Sequence, residues 1–332
     1  MVSLIIFKET IGKGDMGMNI SSFLKLVEIQ TKAASVIPYL LGSMYAFYKY
    51  ENFSFKNAII MFLSMLVFDM TTTAINNYID YAKAIKKDGY GYETHNAIVK
   101  DNLNPEIVRI LIAFMLLISV CLGVLLVINT NIVVLLLGGL AFLIGLCYSL
   151  GPIPISRTPF GEIFSGLAMG YLLTFITIYI HIFDAGVLNI TFNSLSDIGI
   201  ALNLQELITL FIVCLPAITG ISNIMFANNI CDMEEDLENR RYTLPIYIGK
   251  EKALKLFRWI YYTGYIAIVV AVLIRALPVY SILTTLVLKK VNTNLTIFDK
   301  VQTKKDTFGL AVQNFALTNL VLVLTILVGI IL

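Results

Sequence analysis

Charge is what this sequence has least of. Only 14% of its 332 residues are Asp, Glu, Lys or Arg, while 58% are apolar, and the mean hydropathy is +0.83. Soluble domains carry about 25% charged residues, so a water-soluble enzyme or binding module is excluded before any motif is read. Histidine is equally scarce. His95 and His181 are far apart with no partner at ligand spacing, so neither is assigned to catalysis, although His95 follows the first acidic motif described below. The four cysteines, Cys121, Cys147, Cys214 and Cys231, lie in or beside apolar runs and form no C-x-x-C pair. They read as small buried thiols rather than a disulfide or zinc framework. No basic stripe with interleaved aromatics is present, which removes nucleic acid as a partner. The apolar stretch Ser3–Phe7 is too short for a signal-peptide core, so the first spanning helix is expected to direct insertion.

Long apolar runs are what the sequence has in quantity. A spanning helix needs about 20 mostly apolar residues. Nine candidates stand at approximately 33–49, 57–80, 106–128, 131–150, 160–182, 207–231, 256–277, 278–289 and 309–332. The pattern predicts an all-α, polytopic bundle of about nine transmembrane helices around a central cavity. It forms one domain over 1–332, with an interfacial segment at 1–31 and two halves at 33–182 and 207–332. Between residues 20 and 30, Ile20, Phe23, Leu24 and Val27 recur at helical spacing with Lys25 and Glu28 between them. That periodicity predicts an amphipathic helix in the membrane interface.

Cations set orientation. With the N-terminus in the cytoplasm, 21 of the 24 Lys and Arg residues fall on the cytoplasmic side, leaving Lys49, Lys56 and Arg275 opposite. The loop at about 183–206 contains neither Lys nor Arg. The expected location is the cell membrane, with the active-site loops cytoplasmic.

On that side the chain resembles itself. Asn76-Asn77-Tyr78-Ile79-Asp80 ends the second run, and Asn228-Asn229-Ile230-Cys231-Asp232, continued by Met233-Glu234-Glu235-Asp236, ends the sixth. The offset of 152 residues is close to half the chain, as in the internal repeats of membrane bundles. Asn228, Asp232 and Asp236 are four apart, as are Asn76 and Asp80, so each set stacks on one helical face. Ionisable groups at membrane depth face a cavity or a partner, and carboxylates on facing helices repel unless a cation lies between them. Mg²⁺ takes one or two carboxylates and completes its shell with phosphate oxygens and water. The implied ligand is a metal-bound phosphate ester.

Lys83, Lys86 and Lys87 follow the first motif, and Arg240 and Arg241 the second. They read either as topology signals or as groups neutralising a diphosphate, with Arg241 foremost and Lys83 next. The polar second run, with Asp69, Thr71, Thr72, Thr73, Asn76 and Asn77, suits interhelical hydrogen bonding or a wet substrate cavity. Asn223, Asn314, Thr318 and Asn319 read as packing contacts. In the turn Tyr148-Ser149-Leu150-Gly151-Pro152-Ile153-Pro154, Tyr148 serves either as an interfacial belt residue or as a ring facing a carbocation.

Taken together, these segments resemble the UbiA superfamily of intramembrane aromatic prenyltransferases. They are most similar to the branch that prenylates 1,4-dihydroxy-2-naphthoate in menaquinone synthesis. The resemblance covers Glu28 through Lys32, Pro38, Leu41-Gly42, Asn76 through Tyr81, Tyr148 through Pro154, Gly161-Glu162, Asn228 through Asp236, then Arg241, Thr243-Leu244 and Ile248-Gly249. It implies Mg²⁺ held by Asp80, Asp232 and Asp236 with Asn76 and Asn228, gripping the diphosphate of a polyprenyl donor. Catalysis would fall to Asp80, Asp232 and Asp236, and substrate contacts to Asn76, Asn77, Lys83, Tyr148, Asn228 and Arg241. The partners would be polyprenyl diphosphate, an aromatic acceptor and the lipid bilayer, with no obligate protein partner.

The chain departs from the family's usual pattern at Asn77, where an acid is usual, and after Asp80, where Ala84 and Lys86 stand and Asp88 is displaced. The first metal site is therefore less acidic. The Tyr-x-x-x-Lys-Arg element of the hydroxybenzoate branch is replaced by Gly151-Pro152, which favours the naphthoate branch. Relatives using hydroxybenzoate, homogentisate or haem, and a non-enzymatic transporter with inverted repeats, stand as alternatives. The transporter leaves unexplained why both acidic motifs lie beside cations on one side.

Overall fold

The computed structural model describes residues 18–83, 96–150, 154–194 and 197–332. Lys86, Lys87, Asp88, His95 and the Gly151–Ile153 turn lie outside the described residues.

The chain is built from helices α1 Ile20–Leu26, α2 Ala33–Tyr50, α3 Phe55–Lys83, α4 Ala97–Lys100, α5 Pro105–Ile128, α6 Ile132–Ser149 and α7 Gly161–Ile182. A hairpin of β1 Leu188–Ser194 and β2 Asp197–Leu202 follows, then α8 Leu204–Cys231, α9 Met233–Glu238, α10 Leu244–Ile248, α11 Lys250–Leu273, α12 Leu288–Lys300 and α13 Phe308–Ile331. Asparagines start several of these helices. Asn19, Asn131 and Asn203 each accept a backbone N–H of the first turn through Oδ1, which satisfies a donor the helix leaves open.

Among the described residues, α3, α5, α6, α7, α8, α11 and α13 are long and apolar enough to cross a membrane. Helix α2 fills the run expected at 33–49, but Lys49, Pro38 and its tyrosines make it less apolar. The run expected at 278–289 is a 3-10 segment, Val279–Val287, leading into the amphipathic α12. The two pieces together run back alongside α11, with Tyr262 donating to Asn292 and Arg258 paired with Asp299, and so return the chain to the side where α11 begins. Among the described residues, the loop at 183–206 carries the strands in an otherwise helical chain. Its strands pair antiparallel, with Leu188 opposite Leu202 and Ile190 opposite Ile200.

Two compact units divide the chain, and α3 and α5 each contribute one half to either. The unit formed from 1–32 and 67–119 centres on Leu26, Ala74, Ala97, Ile98, Leu103 and Val108. Lys25 pairs with Asp101 at 2.9 Å, and the Ser22 hydroxyl with this ammonium holds the Asp101 carboxyl below its ordinary range. Deeper on α3, the buried Lys32 Nζ donates to Asp69 Oδ1 at 2.8 Å and to Thr73 Oγ1 at 2.7 Å.

The larger unit, 33–66 with 120–332, packs around Tyr45, Tyr179, Phe226, Phe257 and Phe298. Of α6 only 11% is buried, against 56% of α7 and of α8. An all-round apolar helix that is not covered by protein faces lipid. The inner contact of α7 with α8 depends on small residues. A Cβ at Gly170 would stand 2.5 Å from Ile218 Cα, and one at Gly166 2.8 Å from the Ile218 carbonyl oxygen. This Gly-x-x-x-Gly spacing lets two backbones approach in the absence of a hydrophobic drive. The stretch that holds both glycines, Gly166–Leu172, widens into a π-helix.

Candidate active site

Helix α8 ends one residue before Asp232, the first acid of the second motif. Asp232 leaves the α conformation at φ −99°, ψ 7°, yet the ladder runs on through it. Its N–H donates to the Asn228 carbonyl at 3.1 Å, and the Asp236 N–H to the Asp232 carbonyl at 2.7 Å. Asn228, Asp232 and Asp236 therefore stay stacked across the kink. Both aspartates are buried, at 8% and 4% exposure, whereas Glu234 between them is exposed. Spacing by four thus separates the acids turned inward from one left outside.

The buried pair is held from three directions. Lys304, in the loop before α13, pairs with Asp232 Oδ2 at 2.6 Å. The buried Thr243, which caps α10, donates from Oγ1 to Asp236 Oδ2 at 3.1 Å. Arg241 also bears electrostatically on Asp236, and the backbone explains how it reaches. Arg240 adopts a left-handed φ of 53°, so the chain doubles back and the Arg241 N–H donates to the Asp236 carbonyl at 2.8 Å. The neighbouring Tyr242 N–H donates to the Arg157 carbonyl at 3.2 Å. Burial and then the negative Asp232 push the Asp236 carboxyl up to about 6, against the opposing pull of Arg241, Thr243 and Lys304.

Beneath this pair lies Glu162, which sequence reasoning recorded only as part of the resemblance. It is buried, accepts from Asn229 Nδ2 at 2.8 Å, and acts electrostatically on Asp236. The Tyr148 hydroxyl is buried beside Ser165 and within the field of Glu162. Tyr148 and Glu162 thus join the neighbourhood of Asp236. A Glu at the start of an apolar run was the signal available for it, and Lys304 was visible only as one of the topology-setting lysines.

The first motif divides its two asparagines. Asn76 is half-buried and shares its face of α3 with the exposed Asp80. Asn77 points elsewhere: its Nδ2 donates to the Leu26 carbonyl at 3.0 Å and to Glu28 Oε1 at 3.2 Å, and its own carbonyl accepts from Asn96 Nδ2 at 2.8 Å. Its amide nitrogen ties α3 to the N-terminal segment. Lys83 closes α3, with its side chain outside the described residues. His181 stacks on Phe53 and accepts the Ser54 N–H at 3.0 Å, which is a packing role.

The donor set fits a divalent cation of one kind. Among the described residues, no three acidic, His or Cys side chains converge as a closed metal cage. Two hard carboxylates, buried together and in mutual repulsion, suit an ion such as Mg²⁺ that takes one or two protein oxygens and the rest from phosphate and water.

Fold and site define a polytopic membrane protein with a paired-carboxylate site at a helix end. The chain matches the UbiA prenyltransferase family over residues 35–308 and belongs to it; it is a prenyltransferase. It is similar to the 1,4-dihydroxy-2-naphthoate octaprenyltransferase of Bacillus subtilis (strain 168), with 29% identity over 74% of this chain and 71% of the relative. The fold is shared with a UbiA homologue from Aeropyrum pernix K1, at 18% identity and a TM-score of 0.63 over 91% of this chain and 98% of that one. It is also shared with a UbiA homologue from Archaeoglobus fulgidus bound to GPP and Mg²⁺, at 14% identity and 0.60 over 94% and 100%.

Proposed function

We propose that the chain transfers a polyprenyl group from a polyprenyl diphosphate to 1,4-dihydroxy-2-naphthoate, giving a demethylmenaquinol, the reduced form of demethylmenaquinone, at the cytoplasmic face of the cell membrane. The observation that carries the reading is the buried Asp232–Asp236 pair with Arg241 and Lys304 beside it. Carboxylates crowded until one of them titrates near 6 form a site that gains from a bound cation. The acceptor rests on the naphthoate-prenylating relative and on Gly151-Pro152.

Asp232 and Asp236, with Asn228, and Asp80 with Asn76 from the first motif, would hold Mg²⁺. The ion would neutralise the diphosphate and make it a better leaving group. Arg241 adds a fixed positive charge at the same place, and Lys83 is proposed to do so from the end of α3. The allylic C–O bond breaks with its electron pair going to the diphosphate. The electron-rich ring carbon that bears the carboxylate attacks the allylic carbon. Carbon dioxide then leaves from that ring carbon, and the electrons of the broken C–C bond restore the aromatic ring. Tyr148, whose hydroxyl is buried in the field of Glu162, would face the allylic cation with its ring. The Lys and Arg partition supports the cytoplasmic orientation.

The test incubates purified protein with Mg²⁺, a polyprenyl diphosphate and separate aromatic acceptors. Transfer to the naphthoate with release of carbon dioxide is expected. Transfer only to hydroxybenzoate or homogentisate would overturn the acceptor, and no transfer to any ring would overturn the reaction.

A further inference from the structure

Lys304 is seated directly on the second motif. Its Nζ stands 2.6 Å from Asp232 Oδ2, and its side chain is 49% exposed while that of Asp232 is 10% exposed. An exposed lysine spends rotamer entropy to hold one geometry and gains little from a surface pair, so fixed placement here needs a rigid base. The loop supplies it. Thr303 N–H donates to Thr307 Oγ1 at 3.0 Å, and Thr303 Oγ1 donates to Asp306 Oδ2 at 2.9 Å. The N–H groups of Thr307 and Phe308 converge on the Thr303 carbonyl at 3.1 and 3.0 Å. Thr307 is buried beneath the turn. The backbone is thus closed on itself by hydrogen bonds at Lys304, which carries its ammonium on a flexible four-carbon stem.

Charge balance gives this lysine two positions. Without substrate, Lys304 and Arg241 offset Asp232 and Asp236. A diphosphate ester carries more negative charge than one Mg²⁺ cancels, so the arriving complex is still anionic. The metal ion competes with the ammonium for Asp232, and like charges separate. The nearest new anion is then the diphosphate, and a lysine ammonium offers three donors on a mobile stem. Lys305, next in the chain, is a second cation on the same turn, but the ion pair belongs to Lys304.

We propose that Lys304 is a diphosphate-binding residue that rests on Asp232 in the empty enzyme and transfers its ammonium to the donor's diphosphate when the metal ion takes that carboxylate. This rests on the reading of Asp232 and Asp236 as the metal–diphosphate site. The test is titration calorimetry of inorganic pyrophosphate with Mg²⁺ into the purified full chain in detergent, accompanied by steady-state kinetics. Lys304→Ala is expected to weaken Mg²⁺-dependent pyrophosphate binding at least tenfold and to raise KM for the prenyl donor in step. KM for the acceptor and the thermal midpoint should stay unchanged, and Lys304→Arg should recover most of the affinity. Lys304→Ala binding pyrophosphate as wild type does, or more tightly because a competitor of the metal is gone, would overturn the proposal. Asp232→Asn separates the two readings: if it too binds like wild type, the metal–diphosphate site itself is wrong, whereas its loss beside a neutral Lys304→Ala removes only the role of Lys304.

Discussion

Asp232 and Asp236 are buried four residues apart with one charge more than their surroundings hold easily. Replacing either with Asn keeps shape and hydrogen bonding but removes the charge a cation would use. Each variant is expected to lose at least ~100-fold in prenyl transfer while inserting and folding normally, as checked by turnover beside size-exclusion profiles. The raised Asp236 carboxyl also fixes a pH dependence. Its folded value of about 6 lies above its ordinary 3.8, so the folded state takes up this proton first. The contribution to stability is fully present below 3.8 and lost as pH rises through 6. Metal-free protein should therefore gain thermal stability between pH 7.5 and 5.5, and the gain should shrink in Asp232→Asn. An equal gain in both proteins would remove the coupling between the two acids.

Asn77 is the residue for which sequence and structure diverge most. By the resemblance to the family it stands where an acid is usual, next in the chain to Asn76, a proposed metal ligand. Adjacent residues on a helix point about 100° apart, and the structure spends the Asn77 amide on Leu26 and Glu28. Asn77→Asp would set a carboxylate against a carbonyl oxygen and another carboxylate. The expected cost is ~2 kcal/mol, read as a lower melting temperature with an unchanged Mg²⁺ midpoint. A lower Mg²⁺ midpoint instead would return Asn77 to the metal site.

Among the elements, α7 and α8 depend on absent side chains. Gly170→Ala must move the α8 backbone at Ile218 and is expected to cost ~1–3 kcal/mol. Gly138→Ala in α6, with nothing within 4 Å of its added methyl, should be neutral or stabilising by up to ~1 kcal/mol. Detergent melts of the two variants provide the check. Long apolar runs made the spanning helices legible because lipid length and composition leave few alternatives. The kink at Asp232 and the left-handed Arg240 were not legible, since they follow from how α9 and the next loop close on the site. The β-hairpin was missed because a short alternation such as Asn189-Ile190-Thr191 is weak beside the apolar helices around it. Glu162 and Lys304 were visible as letters, but only folding brings residues from distant segments to the same carboxylates.

At the scale of the whole molecule, the repeat offset of 152 residues predicts that Asp80 and Asp232 serve one diphosphate. An experimental structure with Mg²⁺ and a donor analogue is expected to place both carboxylates within reach of the bound ions. A separation above roughly 15 Å would defeat this, because metal ligands stay within a few ångströms of their ion. Orientation is checked with cysteine-free protein. A cysteine at Lys305 should be labelled from the cytoplasmic side, and one at Gly186 from the opposite side.

The hairpin between α7 and α8 bears on how the protein is made. A loop that crosses the bilayer during synthesis resists in proportion to the Lys and Arg it carries, while acids count for little. From 183 to 206 there is none of either cation. The paired strands, moreover, satisfy much of their own backbone hydrogen bonding. In the proposed orientation the far end of α8 stays on the side of synthesis, and with it the two aspartates, where a charged diphosphate would be delivered without having to cross the membrane.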